Sequence, residues 1–409
     1  MDDILIKNGR VIAEARFLPS GYVSVTSGKI SSIGENWRGI EAKQTIDAKG
    51  LYVSPGFIDM HTHGIKDVDF MEADPKTMVC GLREYAGFGV TRVVATTLSN
   101  TFDAIVTQVR RIGEAMENPE FGGILLGAHV EGPWLAPRCR GGHALEYLKV
   151  PEKNDVDRLL GEVGGVIRTL TFAPELPNAA WLAERLAARG IVPVLGHTEG
   201  SFEDAERAIL AGARHVTHMY DAIIGYRENP KEALVMMPGV ETAVLMHDEV
   251  SIELNGCPIH VPIPFFGFIN KVKPRDKKVI VTDSLAGTGY PDGTVITRKD
   301  GRQVYVSKGV LRMIDEDPKI NGNLTGSAVT MNLALRRLTE YAQYPQTFPV
   351  HEAVRWGSIN PATTLGIAGE TGSIAGGKSA DIVLFDEGFD VKMTLLKGRV
   401  VFDEMQSIR

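Results

Sequence analysis

The residues of this 409-residue chain best placed to do chemistry are histidines and carboxylates that close apolar, strand-like runs. Phe57-Ile58-Asp59-Met60-His61-Thr62-His63 ends in His-x-His. Side chains two apart on an extended strand share a face, so two imidazoles at this spacing can hold one metal ion. His-x-His alone is weak evidence, because two surface or core histidines often fall this close by chance. Glu131, His197, His218 and Asp283 add weight, since each closes a separate apolar run far along the chain. His61, His63, Glu131, His197 and His218 supply four imidazoles and one carboxylate, a ligand set that suits Zn²⁺ or Fe²⁺. Each has a plainer reading, as a hydrogen-bonded core histidine or a loop-capping glutamate. Agreement between several strand ends favours the metal.

Asp283 follows Val279-Ile280-Val281-Thr282. A buried carboxylate there is costly unless it is paired or near a metal. Beside a metal-bound water it can take a proton and pass it to a leaving amine; its plainer role is a helix N-cap. His143 follows Gly141-Gly142 and can polarise a carbonyl or sit solvated in a loop. Arg227 and His260 fall on loops after strand-like runs, where they can hold an anionic or polar substrate or face solvent. His129 shares a strand face with Glu131, and His215 is expected opposite His218; both read as core or supporting groups.

The elements that must position these residues alternate between strand and helix patterns from about 55 to 365. Strand-like runs fall at 57–61, 90–96, 123–131, 170–175, 192–197, 215–218, 250–254 and 279–283. That is the spacing of a (β/α)8 TIM barrel with insertions, whose sites lie at the C-terminal ends of the strands. One unit is explicit: Ser201-Phe202-Glu203-Asp204 has capping-box spacing, and Gly212 stands where a left-handed cap stops the helix before His215. Residues 1–54 and 366–409 read instead as short strands and turns. Asn8-Gly9 reads there as a hairpin signal, and so do Ser27-Gly28 and Lys397-Gly398. The two ends are expected to pair into one small β-sandwich, leaving 55–365 as the barrel that carries the candidate metal ligands.

Composition narrows the function. The chain is 44% hydrophobic with net charge −7, enough apolar residue for a large core. It has no long basic run, which argues against a nucleic-acid partner. No run of about 18 apolar residues suggests a membrane span. Cys80, Cys139 and Cys257 are odd in number and far apart, which fits a reducing compartment. The start, MDDILIKNGRVI, lacks a basic stretch followed by an apolar one, so the cytoplasm is the expected location.

At PGFIDMHTHG (55–64), HVEGPW (129–134), GGH (141–143), GHTEGSFEDAERAILAGARHVTHMYDA (196–222), VTDSLAGTG (281–289), NLTGSAVTM (323–331) and GGKSAD (376–381), the sequence resembles the amidohydrolase superfamily. Within it, the sequence resembles the N-acetylglucosamine-6-phosphate deacetylases over essentially the whole chain. The resemblance implies metal-dependent removal of an N-acetyl group from an amino sugar, with one or two divalent ions. Glu131, His197 and His218 would be the main ligands, with His61 and His63 adding a second position. Asp283 would be the general base and acid, and His143 the group that polarises the acetamide carbonyl. Asp221, Ala222, Arg227 and His260 would contact a small-molecule substrate. The family is dimeric, its arginine reaching into the neighbour's site. In one departure, Asp221 stands where the family has Asn; an ionised Asp near a phosphate dianion is repelled by a few kcal/mol at an effective dielectric of about 20. In another, the Pro-rich segment 255–264 is longer than the family pattern. Other readings are an amidohydrolase acting on another N-acyl group, a cyclic amide or an amino-purine, and a non-catalytic scaffold on the same fold.

Overall fold

The structure, a computed structural model, describes residues 1–229, 231–298, 301–340 and 348–406. Its central sheet follows from β-branched runs with no room for a polar face. Val90–Thr97 is buried at every position, as a parallel strand covered on both sides must be. Eight parallel strands pair in chain order: Phe57–Thr62, Val90–Thr97, Leu125–Glu131, Ile167–Phe172, Val192–Leu195, His215–Val216, Ser251–Asn255 and Lys278–Val281. Parallel neighbours need crossovers, supplied by helices such as Phe102–Met116 and Phe202–Leu210.

The last strand returns to the first through a buried carboxylate. Asp59 accepts a hydrogen bond from Thr282 Oγ1 at 2.6 Å, and the Asp283 N–H donates to the His61 carbonyl at 2.9 Å. Burial pushes the Asp59 carboxyl up to about 7, against the pull of the Thr282 bonds. The result is a nearly closed (β/α)8 barrel. The capping box is present, with Ser201 Oγ accepting from the Asp204 N–H and Asp204 bonding back to the Ser201 N–H.

A second eight-stranded sheet draws strands from both termini. Tyr52–Pro55 pairs antiparallel with Ile382–Phe385, so the two chain ends share one ladder. Its core is its own: Ile6, Val11, Val23, Ile46, Val53, Ile382, Leu384 and Met393 are buried together. The predicted turns at Ser27-Gly28 and Lys397-Gly398 join antiparallel strands. The hairpin expected at Asn8-Gly9 does not form. Asp2–Ile12 runs through as one strand, with a register shift between Ile6 and Gly9 and Asn8 at φ +57°. The glycine is needed for close packing, since a Cβ on Gly9 would lie 2.3 Å from Val53 Cγ2. The pair marks a bulge rather than a reversal.

The sheet is tied to the barrel by a buried ion pair. Arg92, on the second barrel strand, sets Nη2 at 2.7 Å from Asp381 Oδ2, with both side chains almost fully buried. After the last barrel strand, residues 295–327 add a four-stranded antiparallel sheet that the sequence reading did not anticipate. A small hairpin, Tyr226–Glu228 with Met236–Pro238, follows the sixth strand. Among the described residues, no helix is long and apolar enough to cross a membrane.

Candidate metal centre

The strand ends bring His61, His63, Glu131, His197, His218 and Asp283 together at the C-terminal mouth of the barrel. His197, His218 and Asp283 all have positive φ, at +48°, +24° and +46°. Such backbone costs of order 1–3 kcal/mol per residue and persists where surrounding bonds over-determine it.

The hydrogen-bond network assigns the imidazole tautomers. His197 Nδ1 lies 2.8 Å from the Cys139 carbonyl, and His218 Nδ1 lies 3.0 Å from the Asp221 carbonyl. Carbonyls only accept, so both Nδ1 atoms carry protons, and in the neutral imidazoles both Nε2 atoms offer their lone pairs. These two Nε2 atoms are 3.1 Å apart, and each is 3.2 Å from Glu131 Oε1. Three lone pairs therefore converge on one point, an arrangement that a divalent cation fits.

His61 and His63 sit beside that point. His61 Nε2 is 3.5 Å from Glu131 Oε1 and 3.3 Å from Asp283 Oδ1. His63 Nε2 is 3.2 Å from Glu131 Oε2 and 3.3 Å from Asp283 Oδ1. His61, His63 and Asp283 make one group with metal-binding geometry, and Glu131, His143 and His197 make another. Burial works against a charge on His63 and on His218, but Glu131 and Asp283 carry both imidazoles up to about 9. Asp283 also resists burial, and His61 and His63 hold its carboxyl down to about 2. Together these groups favour positive charge at the centre.

His143 also reaches the cluster, with Nε2 3.4 Å from Glu131 Oε2. Its Nδ1 accepts from the Ser99 N–H at 3.1 Å, so its proton sits on Nε2. This tautomer makes His143 a donor toward the centre, unlike His197 and His218. Burial brings its pKa down to about 4, so it is neutral at physiological pH.

The supporting groups were largely missed in the sequence. Glu253 Oε1 takes bonds from His61 Nδ1 at 2.8 Å, Thr217 Oγ1 at 2.8 Å and the His218 N–H at 3.0 Å. Its other oxygen lies 3.1 Å from His215 Nε2. His215 therefore faces the interior with His218 rather than away from it, because the alternation breaks where His218 turns to positive φ. Asn255 Nδ2 donates to Asp283 Oδ2 at 3.0 Å. The only signal for Glu253 in the sequence was a carboxylate inside the strand-like run Val250-Ser251-Ile252-Glu253-Leu254, which the structure buries from Ser251 to Asn255. His129 is a core group, 2.7 Å from Thr171 Oγ1.

The expected substrate contacts spread outward from the centre. The Ala222 carbonyl accepts from the Thr198 N–H, tying the loop after the sixth strand to the loop after the fifth. His260 Nδ1 lies 2.9 Å from Cys257 Sγ. Burial opposes its charge, but Cys257, Asp221 and Asp283 lift it to about 9. Arg227 lies in the small hairpin, in register with Met237.

The profile of the amidohydrolase family matches residues 52–401. The chain belongs to the amidohydrolase family. That membership makes it a hydrolytic enzyme of a metal-dependent family. It is 29% identical over 408 residues to an N-acetylglucosamine-6-phosphate deacetylase of Bacillus subtilis, covering 98% of each chain. It is 26% identical over 396 residues to an N-acetylgalactosamine-6-phosphate deacetylase of Escherichia coli O157:H7, covering 97% of this chain and 98% of that one. Among solved structures, a mutant N-acetyl-D-glucosamine-6-phosphate deacetylase from Mycobacterium smegmatis in complex with N-acetyl-D-glucosamine-6-phosphate matches with a TM-score of 0.84 and 25% identity. That match covers 98% of this amidohydrolase and 100% of the mutant's chain.

Proposed function

We propose that this amidohydrolase removes the acetyl group of N-acetylglucosamine 6-phosphate, yielding glucosamine 6-phosphate and acetate. The observation that carries the reading is the convergence of Glu131, His197 and His218 lone pairs beside Asp283 and the His143 Nε2–H. The deacetylase relatives, similar over nearly the whole chain, supply the substrate class.

Glu131, His197 and His218 would hold the cation, Zn²⁺ in first place and Fe²⁺ in second, and His61 and His63 a second ion. The bound cation supplies Lewis acidity, acidifying water and polarising the acyl oxygen. The chain's own residues do the rest. Asp283, ionised at neutral pH, accepts the proton of the attacking water. The neutral His143 donates from Nε2 to the developing oxyanion. Asp283 then returns its proton to the leaving amine. Asn255 keeps the Asp283 carboxylate oriented by holding its other oxygen.

Arg227, His260, Asp221 and Ala222 are the proposed sugar and phosphate contacts. The cationic His260 lies near enough to Asp221 to feel its charge, and so offsets the repulsion that an acidic residue presents to a phosphate. A homodimer is supported by the exposed apolar hairpin, where Tyr226 and Met236 are 63% and 70% accessible. Arg227 sits in that hairpin, as a residue serving a neighbour's site would. The cytoplasm is the proposed location.

The test is acetate release by zinc-loaded protein from N-acetylglucosamine 6-phosphate, its galactose epimer and the unphosphorylated sugar. Preference for the first is expected. Preference for the epimer would reassign the sugar, and failure on all three would reject the reading.

A further inference from the structure

A cavity of about 150 Å³ opens where the terminal sheet meets the barrel, at the end away from the metal centre. Pro55, just ahead of the first barrel strand, and Arg275, just ahead of the last, both line it. The strand from Pro55 to His61 spans about 20 Å at roughly 3.3 Å per residue, so this cavity is separate from the hydrolytic site.

Three guanidiniums share its wall: Arg16, Arg275 and Arg355. Arg275 is committed to Glu352, with Nε 3.1 Å from Oε2. The wall's one carboxylate, Glu14, is held by Lys378 Nζ at 3.1 Å and Ser373 Oγ at 2.9 Å. Arg355 has no side-chain hydrogen bond or ion pair among the described residues, and its Nε is buried without a partner. Burial and the neighbouring Arg275 charge pull its guanidinium pKa down, only partly offset by the carboxylates of Glu352, Asp276 and Glu14. Among the described residues, the backbone N–H groups of Gly372 and Ser373, both on the wall, also donate to nothing. Like charges and unmet donors around one cavity are unfavourable unless an acceptor anion joins them.

We propose that this cavity binds a small oxyanion of orthophosphate size, gripped by the Arg355 fork with help from Arg16 and the Gly372 and Ser373 amides. A planar guanidinium matches two oxygens of such an anion at once. The volume equals roughly five waters at ~30 Å³ each, room for one tetrahedral anion and little more. Binding would tie the 14–17 connection between the first two strands of the terminal sheet to the Val350–Trp356 helix of the barrel.

The probe is inorganic phosphate, titrated into the zinc-loaded full-length protein at constant ionic strength and followed by phosphorus NMR line broadening. Saturable broadening is expected, weakened about tenfold in Arg355→Gln, a loss of ~1.4 kcal/mol, and about threefold in Arg16→Gln. Arg227→Gln, which alters the proposed substrate-phosphate contact, keeps it. Arg16 is exposed, so its variant keeps the test open if Arg355→Gln fails to fold. Absence of saturable broadening, full broadening in both cavity variants, or its loss in Arg227→Gln overturns the assignment.

Discussion

Glu253 Oε1 lies 2.8 Å from His61 Nδ1 and 3.0 Å from the backbone N–H of His218. One buried carboxylate thus orients an imidazole of one proposed metal position and the strand end that carries a ligand of the other. Bonds of this kind fix the tautomer and typically change metal affinity 10–100-fold when lost. Glu253→Gln is therefore expected to weaken zinc binding by about 10–100-fold, measured by competition with a chromophoric chelator. Affinity unchanged within about twofold would remove Glu253 from the metal site.

His143 differs from the other site histidines in where its proton sits. Because Ser99 N–H occupies Nδ1, the Nε2–H is free to stabilise an oxyanion. Losing one such donor typically costs 10²–10³ in turnover. His143→Phe is expected to lower kcat by about that factor while bound zinc, measured by elemental analysis, stays constant. A parallel loss of zinc would show His143 to be a ligand instead.

The parts of this site legible in the sequence share one property: they end apolar strands, where a polar side chain stands out. His61, His63, Glu131, His197, His218 and Asp283 all do. Glu253 and Asn255 escaped because their partners lie on other strands, 192 and 28 residues away. His215 was misplaced because strict alternation was extended past the point where the backbone turns at His218. Asn8-Gly9 was misread because a left-handed residue followed by glycine serves a bulge as well as a hairpin. The 295–327 sheet was missed because its strands are three to five residues long and only partly buried.

The imidazoles set a pH dependence. In cation-free protein His63 and His218 titrate at about 9, against 6.5 when unfolded. Their stabilisation is complete below pH 6.5 and is lost as pH rises through 9. Asp59, raised to about 7, acts in the same direction. Chelator-treated protein should melt at a lower temperature at pH 9 than at pH 6.5. Zinc affinity should rise over the same interval, since the ligands must lose protons. Calorimetry with and without chelator checks both, and a melting temperature that rises over this interval would contradict the assigned charges.

Arg92 and Asp381 join the barrel to the terminal sheet in a buried ion pair, and Asp381 also accepts from Thr371 and Ser379. Removing one partner strands the other charge, which typically costs 3–5 kcal/mol. Asp381→Ala should lose about that much in denaturant unfolding, while zinc content at low temperature is preserved. A loss below about 1 kcal/mol would mean the Arg92 charge reaches water.

The measurement that bears most directly on the mechanism is acetate release by zinc-loaded Asp283→Asn. Asparagine keeps the shape of the side chain but cannot take a proton from water or return one to the amine. Acetate release from N-acetylglucosamine 6-phosphate should fall by about 10³-fold, with zinc stoichiometry equal to wild type. Turnover within about tenfold of wild type, with zinc bound, would show that Asp283 is not the proton-transfer group.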